Sequence, residues 1–252
     1  MIGFNCLGKM GQLGNQMFQY ASLRGIARNK GYNFCIPYHD EIVVDDLGNK
    51  LRIELFDPFV MSNVTQLNIQ IIDQDRPTIV EEEFNFNQKI FDECPDWVNL
   101  QGYFQSEKYF KHIEDEIRQD FTFKNEISLL CKHKMCEIDR PIALHIHHSL
   151  DLDYYATALK KFDNNRTVII FSNDSEWCKK QKLFADDRFF VSEGNSSYTD
   201  LCLMSLCTDF IISNSTFSWW GAWISKSINK VVCCPDSKQW SDLIPEEWLI
   251  VK

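Results

Sequence analysis

The chain has 252 residues, of which 44% are hydrophobic and 25% are charged, a balance typical of a globular protein. Its 36 acidic and 26 basic side chains give a net charge of −10, which argues against nucleic acid or an anionic membrane as the main partner. No stretch approaches the ~20 apolar residues that span a bilayer, and the first residues lack the basic region of a signal peptide. We therefore expect a cytoplasmic protein without a transmembrane segment.

The N-terminal half predicts a strand, a glycine-rich loop and a helix in succession. Residues 2–6 form the strand pattern, and residues 17–28 carry apolar side chains at helical spacing before a stop signal at Gly31. The glycines between them, at positions 8, 11 and 14, do not match G-x-G-x-x-G, so a dinucleotide fingerprint is not supported. The remaining elements of this half are predicted as strands at 32–36 and 98–104, loops and minor strands over 37–97, and helices at 107–119 and 125–136.

The C-terminal half begins at a predicted boundary, Asp139-Arg140-Pro141, because proline ends the preceding helix. From there strands and helices alternate, which is typical of a parallel sheet covered on both faces. The strands are predicted at 142–147, 167–171, 188–191, 210–213 and 230–234, and the helices at 151–162, 174–184, 198–207 and 217–227. We therefore divide the chain into domains at residues 1–139 and 140–252.

Three polar clusters lie at the predicted ends of strands in this half. They are His145 to Ser149, Ser172 to Asp174, and Ser213 to Ser218. Ligands of parallel α/β sheets bind at the carboxyl ends of the strands, near the point where the strand order reverses. The last cluster also opens a helix, where hydroxyls and free backbone N–H groups favour an anion such as phosphate. An ordinary Ser/Thr cap on a core helix is the alternative interpretation.

Ten cysteines are scattered through apolar segments, and none forms a C-x-x-C pair. This usage fits reduced, buried thiols in a cytosolic protein and indicates neither a zinc knuckle nor a thioredoxin-like redox site.

Four segments, in order, resemble the motifs of one enzyme family. They read GQLGNQMFQYA at 11–21, GYFQSEKYF at 102–110, FSNDSEWC at 171–178 and SNSTFSWWGAW at 213–223. On these residues the chain resembles the α-1,2-fucosyltransferases of glycosyltransferase family 11. The resemblance implies an α/β, GT-B-like fold with two Rossmann-like lobes, mostly parallel sheets and a cleft between them. It also implies an acceptor-side lobe at 1–139 and a nucleotide-sugar-binding lobe at 140–252.

The resemblance further implies an inverting transfer of fucose from GDP-fucose to a galactoside-type glycan hydroxyl, with no required metal or other cofactor. The partners are then the nucleotide-sugar donor and the glycan acceptor. The candidate site residues fall into two groups on this basis. The catalytic candidates are Asn15, His145, His147 and His148, and the donor-binding candidates are Gly14, Asp174, Asn214, Ser215, Thr216, Phe217 and Ser218.

One segment departs from the family pattern H-x-R-R-x-D. It reads His145-Ile146-His147-His148-Ser149-Leu150, so both arginines are replaced by histidine and the aspartate by leucine. Arginine clamps a pyrophosphate with a permanent charge, whereas histidine, with an ordinary pKa near ~6.5, is mostly neutral at pH 7. A catalytically weak or inactive relative that binds a nucleotide sugar or glycan is therefore an alternative function.

Several candidates also have other interpretations. Asn15 and Asp174 are both good helix caps, and capping explains each of them equally well. His145 and His147, with Asp151 nearby, match the ligand spacing of some metal-dependent hydrolases, which is a less favoured alternative. The three tryptophans of the last motif, which follow the turn at helical spacing, are predicted as core rather than as a sugar platform.

Overall fold

The computed structural model describes residues 1–44, 50–147, 150–237 and 242–252. The chain forms two compact units. One comprises Met1–Thr122 with Gln239–Pro245, and the other comprises Phe123–Lys238 with Glu246–Lys252. The first break along the chain therefore lies near residue 122, ahead of the boundary predicted at 139. The assignment of the two units to acceptor and donor stays a prediction.

The first unit is built on a four-stranded parallel sheet with the order β2-β1-β6-β5. A short antiparallel pair, β3 with β4, accompanies it. The strands are β1 Ile2–Gly3, β2 Phe34–Cys35, β3 Val43–Val44, β4 Lys50–Leu51, β5 Thr78–Val80 and β6 Val98–Gln101. The helices are α1 Leu13–Lys30, α2 Gln88–Glu93 and α3 Glu114–Asp120.

Helix α1 is buried along most of its length, and two of its buried polar side chains bond to loop carbonyls. Gln19 Nε2 donates to the carbonyls of Met10 and Gly102, at 3.2 and 3.0 Å. Ser22 Oγ donates to the carbonyl of Phe104 at 2.9 Å. The helix ends at Gly31, whose φ of 67° lies in the left-handed region, as the stop signal predicts. These bonds satisfy buried polar groups that would otherwise be costly.

The single helix predicted over residues 107–119 is wrong in its first half. Two short 3₁₀ turns, Glu107–Tyr109 and Lys111–Ile113, precede α3. The backbone here packs directly on α1, since a Cβ added at Gly25 would lie 1.9 Å from the Tyr109 carbonyl oxygen. This close tertiary contact outweighs the local preference for a continuous α-helix.

The second unit contains a six-stranded parallel sheet with the order β12-β11-β10-β7-β8-β9. Its strands are β7 Ile142–Ile146, β8 Val168–Ser172, β9 Phe189–Val191, β10 Asp209–Ile211, β11 Val232–Pro235 and β12 Leu249–Val251. The predicted alternation is confirmed, and β12 is an additional strand. The chain starts at the centre with β7, runs to β9 on one side, and returns to β10 on the other. The strand order therefore reverses between β7 and β10.

Among the described residues, five α-helices belong to the second unit. They are α4 Asn125–Met135, α5 Leu152–Leu159, α6 Ser175–Lys179, α7 Ser197–Ser205 and α8 Thr216–Ile224. Helix α4 packs on α7, where the buried Cys131 thiol donates to the carbonyl of Thr199 at 3.6 Å. This packing places α4 in the second unit, although the predicted domain boundary assigned it to the first. In the described parts of the chain, no helix combines the length and apolarity needed to cross a membrane.

Candidate functional site

The reversal point of the second sheet brings together two of the polar clusters. Strands β7 and β10 are paired in register, with Leu144 beside Ile211. At their carboxyl ends, His145 Nδ1 lies 2.7 Å from Ser213 Oγ. Ser213 is fully buried, and only 9% of His145 is exposed. The two motifs, 68 residues apart in sequence, thus meet at the position where such sheets bind ligands.

His145 is held as a neutral imidazole. Burial, reinforced by the neighbouring charge of His147, lowers the pKa of His145 to about 3. The ring also packs near Phe217, with 5.7 Å between ring centroids. A neutral ring cannot supply positive charge to a pyrophosphate. The structure therefore shows His145 as a link between the ends of β7 and β10, and its predicted catalytic role stays a prediction.

The lowered pKa of His145 predicts a specific loss of stability in mild acid. At pH values between about 3, the pKa of His145 in the folded protein, and 6.5, its ordinary pKa, this side chain binds a proton in the unfolded chain but not in the folded one. Stability must therefore fall as the pH falls, by up to about 1.4 kcal/mol per pH unit, or about 2 kcal/mol by pH 5. Urea unfolding at several pH values would measure how steeply the free energy of unfolding depends on pH in the wild type and in His145→Gln, and we expect the steeper dependence in the wild type. Parallel slopes for the two proteins would contradict it.

The start of α8 presents polar groups that its own helix does not use. Ser215 precedes the helix in an extended conformation, with φ −146° and ψ 127°, and its side chain makes no capping hydrogen bond. The buried Oδ1 of Asn214 has no hydrogen-bond partner. The first N–H groups of any α-helix lack acceptors within the helix, and the helix dipole favours negative charge there. Capping by Ser215, the alternative interpretation, is not observed, and the arrangement suits an anionic ligand.

Tryptophans anchor this helix. Trp219 and Trp220 are fully buried, and Trp223 is 3% exposed. The Trp219 ring lies 4.9 Å from the Trp220 ring and 5.5 Å from the Trp248 ring, measured between centroids. The prediction that these tryptophans of the motif are core is confirmed. Their packing fixes the direction in which the α8 N-terminus points.

The sequence profile of glycosyl transferase family 11 matches residues 2–249. The chain belongs to glycosyltransferase family 11. Over 96% of its length it is 29% identical to an α-1,2-colitosyltransferase of Escherichia coli, covering 97% of that enzyme. Over 85% of its length it is 23% identical to human galactoside α-(1,2)-fucosyltransferase 1, covering 64% of that enzyme. The resemblance stated from the motifs is confirmed, and the protein is a glycosyltransferase.

Solved structures show the same fold. A mutant of Arabidopsis thaliana FUT1 in complex with GDP gives a TM-score of 0.53 at 10% identity, covering 94% of this chain and 71% of that one. POFUT1 in complex with GDP gives 0.55 at 12% identity, covering 92% of this chain and 97% of that one. At such identities the likeness concerns the fold alone. The GT-B-like, mostly parallel α/β class predicted for this family 11 glycosyltransferase is confirmed.

Two histidines replace the arginines of the family motif, and of these His147 lies in the part of the chain that the structure describes. Its side chain is exposed, and its backbone N–H donates to the Tyr155 hydroxyl at 3.1 Å. The hydroxyl of Tyr154 donates to the carbonyls of Ile212 and Cys233, at 2.6 and 3.1 Å. Two adjacent tyrosines of α5 thus tie together the ends of β7, β10 and β11. Neither tyrosine was predicted as a site residue, although their place just after the histidine motif was an available signal. His148 lies outside the described residues.

The aspartate of the family motif has no counterpart in the site. Leu150, at its position, packs against the hydrophobic core of the second unit. Asp151 is the N-cap of α5, where its carboxylate accepts from the Asp153 N–H at 3.4 Å. Within the described ranges, which leave out residues 148 and 149 beside this strand, no group of three or more His, Cys, Asp or Glu could hold a metal ion. Neither finding supports the alternative function as a metal-dependent hydrolase.

Asp174 follows β8, the next strand along the sheet. Its carboxylate accepts from the Trp177 N–H at 2.9 Å, which makes it the N-cap of α6. Its own N–H donates to Ser172 Oγ at 3.1 Å. The capping interpretation is therefore observed, and a contact with the guanine base stays a prediction.

Asn15 and Gly14 lie in the first unit, inside the first turn of α1. The N-cap of this helix is Gln12, so the alternative in which Asn15 caps the helix is wrong. Asn15 Oδ1 instead accepts from Gln105 Nε2 at 2.9 Å, which joins the first two family motifs. Gly11, at φ 77°, leaves room for this side chain, since an added Cβ would lie 2.2 Å from Asn15 Nδ2. Contacts of Asn15 and Gly14 with a donor stay predictions.

A cavity of about 950 Å³ lies at the opposite, amino edge of the second sheet. Of the two arginines in its lining, Arg140 and Arg166, the second is already paired. Arg166 forms an ion pair with Asp209 at 2.7 Å, and it donates to the carbonyl of Arg140 at 2.7 Å and to Thr208 Oγ1 at 2.7 Å. These bonds join the starts of the strands, so the reversal point at the carboxyl edge remains the candidate site.

Proposed function

We propose that this family 11 glycosyltransferase transfers fucose from GDP-fucose to a galactoside-type hydroxyl, with inversion at the anomeric carbon. The observation that carries the proposal is the start of α8. A helix N-terminus with an uncapped Ser215 and an unpartnered Asn214 Oδ1 lies at the reversal point of a parallel sheet. The relative named as a galactoside fucosyltransferase supports the sugar and the acceptor class.

In the proposed reaction, the bond between the anomeric carbon and the β-phosphate oxygen breaks as the acceptor oxygen bonds to the opposite face of that carbon. GDP leaves with the bonding electrons, and the acceptor hydroxyl loses its proton to a base. Negative charge therefore grows on the β-phosphate in the transition state. Ser215, Thr216 and the first N–H groups of α8 are the groups we assign to that charge. Asn214 Oδ1, an acceptor, suits a hydroxyl of the donor.

Calorimetric titration with GDP and with GDP-fucose tests the proposal. We expect saturable binding of both, and transfer of fucose to a galactoside. Absence of any GDP binding would overturn it. The relative named as a colitosyltransferase makes colitose the alternative sugar, and a competing assay with the nucleotide donor of colitose would decide between the two.

The second candidate function is that of a catalytically weak relative, which binds the donor but transfers little sugar. The observation that favours it is His147, an exposed histidine at the position of a family arginine, followed by Leu150, which packs against the core. An imidazole lacks the permanent charge and the donor fork of a guanidinium, so it stabilises a leaving pyrophosphate less. Measurable fucosyl transfer by the unmodified protein would remove this candidate.

Restoring arginine at His147 and His148 is expected to raise GDP affinity about tenfold. A permanent charge and a bidentate donor pair would replace imidazole rings, which lack the planar fork of a guanidinium. Calorimetry on His147→Arg alone and on the double variant measures the effect. Lys160→Arg, on the exposed end of α5, is the control and is expected to leave GDP affinity unchanged. No gain in either variant would show that these positions do not reach the phosphates.

We also propose that the protein acts in the cytoplasm. All ten cysteines are free thiols, and eight of them are buried, which fits a reducing compartment.

A further inference from the structure

The first unit contains a small cavity at the carboxyl edge of its own sheet. Its volume is about 190 Å³, and it lies beyond the paired ends of β5 and β6, where Val80 is in register with Gln101. Its lining includes Met10 of the glycine-rich loop, Glu81, Phe84, Gly102 and Tyr103. The volume is below the range typical of drug-sized ligands and suits a single sugar ring.

Glu81 is held at this cavity by one of its two carboxylate oxygens. Its Oε2 accepts from the N–H groups of Tyr103 and Phe104, at 2.7 and 2.8 Å. The other oxygen, Oε1, is buried and has no hydrogen-bond partner. Burial raises the pKa of Glu81, although the two backbone N–H groups oppose this. An unpaired buried carboxylate oxygen is costly, and a donor from a ligand would remove that cost.

An aromatic pair forms another part of the lining. The Phe84 ring stacks on the Tyr103 ring, with 5.9 Å between centroids and 23° between planes. Phe84 is 51% exposed, so its ring is accessible to a ligand. An exposed aromatic face packs well against the C–H face of a sugar ring, while a nearby carboxylate accepts from its hydroxyls.

The surrounding bonds make this geometry rigid. Gln19, fully buried in α1, donates to the carbonyls of Met10 and Gly102, at 3.2 and 3.0 Å, and so joins two sides of the cavity. Gly102 has a φ of 149°, and a Cβ added there would lie 2.5 Å from Glu81 Cβ. Glycine is therefore required for the carboxylate to occupy its place. A site that is formed before the ligand arrives loses less entropy on binding.

We propose that this cavity is the acceptor-sugar subsite, in which Glu81 accepts a hydrogen bond from an acceptor hydroxyl and the Phe84–Tyr103 pair packs against the ring. The inference rests on the proposed glycosyl transfer, because it names the residues that take its second substrate. Glu82 and Glu83 also line the cavity, so the local charge is negative and disfavours a phosphate or other anion. A neutral saccharide fits both the charge and the rings.

Ligand-observed saturation-transfer NMR on the full chain tests the subsite directly, in the presence of GDP. The probes are methyl β-galactoside, methyl β-glucoside and methyl N-acetyl-β-glucosaminide. We expect at least one of them to bind the wild type, and its affinity to fall at least tenfold in Glu81→Gln and in Phe84→Ala. The controls are Glu93→Gln, an exposed carboxylate at the end of α2, and Leu67→Ala, an 81% exposed side chain in the same unit. Both are expected to bind as the wild type does.

Absence of binding by all three glycosides, or wild-type affinity in both site variants, would overturn the subsite. If Glu81→Gln proved unstable, Phe84→Ala would decide the question, because it removes an exposed ring that supports little of the core. Calorimetry with GDP on the same samples separates the two proposals. Glycoside binding without GDP binding contradicts the donor assignment alone, whereas GDP binding without glycoside binding contradicts the acceptor subsite alone.

Discussion

Replacing Ser215 by aspartate is expected to weaken GDP binding about 1000-fold. The side chain of Ser215 does not cap α8, so a carboxylate there would lie among the groups that we assign to the phosphates. A like charge ~4 Å away, at an effective dielectric constant of ~20, costs about 4 kcal/mol, and each 1.4 kcal/mol is tenfold in affinity. Calorimetric titration of wild type and variant with GDP measures the change.

The matched control for Ser215→Asp is Ser196→Asp. Ser196 is the N-cap of α7, where its hydroxyl accepts from the Thr199 N–H at 3.2 Å. Aspartate is a good N-cap and interacts favourably with the helix dipole, so neither variant is expected to lose stability. GDP affinity should therefore fall in Ser215→Asp alone. Equal affinity in the two variants would show that phosphate does not bind at the start of α8.

Replacing Trp219 by alanine is expected to lower the free energy of unfolding by about 3–5 kcal/mol. The indole is fully buried and packs on three other rings, those of Trp220, Trp223 and Trp248. Its removal loses the transfer free energy of the ring and leaves a cavity that the surrounding rings cannot close. Because these rings also anchor α8, we expect weaker GDP binding at temperatures where the variant is still folded.

Urea unfolding followed by circular dichroism measures the stability of Trp219→Ala. Trp97→Ala is the control, since the Trp97 side chain is 49% exposed and lies outside any core. Its replacement is expected to cost less than about 1 kcal/mol. A similar, small cost for both tryptophans would contradict the packing described for α8.

The elements of the second unit could be predicted because their signals are local. Residues 142–147 and 167–171 are short, mainly apolar runs, and the structure contains Ile142–Ile146 and Val168–Ser172 as strands. Short apolar runs between turn residues are typical of strands buried on both faces. The first unit was harder to predict, because its strands have only two to four residues and carry little periodicity.

Long-range contacts explain the errors. The helix predicted over 107–119 breaks into 3₁₀ turns where the Tyr109 backbone packs on Gly25, a contact between residues far apart in sequence. The domain boundary predicted at 139 relied on a local proline signal. The packing of Cys131 on Thr199, which places α4 in the second unit, has no such signal.

The candidate site was predicted in part. The stretch from Asp209 to Trp223 indicated a strand, a turn and a helix start suited to an anion, and the structure contains these elements, with Ser215 uncapped. From the sequence, the roles of Asn15 and Asp174 stayed open between helix capping and ligand binding. The structure shows Asp174 as a cap and Asn15 as a partner of Gln105. Glu81 was not singled out, because a glutamate in a run of three is usually a solvated residue.

The sequence by itself determined the family, the alternation of strands and helices, and the loss of the arginine pair at positions 147 and 148. These properties depend on residue identity and on neighbours a few positions apart. Only the tertiary structure decided the strand order, the neutral state of His145 beside Ser213, and the unpaired oxygen of Glu81. The order of the strands, burial and hydrogen-bond partners arise from segments distant in the chain, and no local pattern encodes which of them will meet.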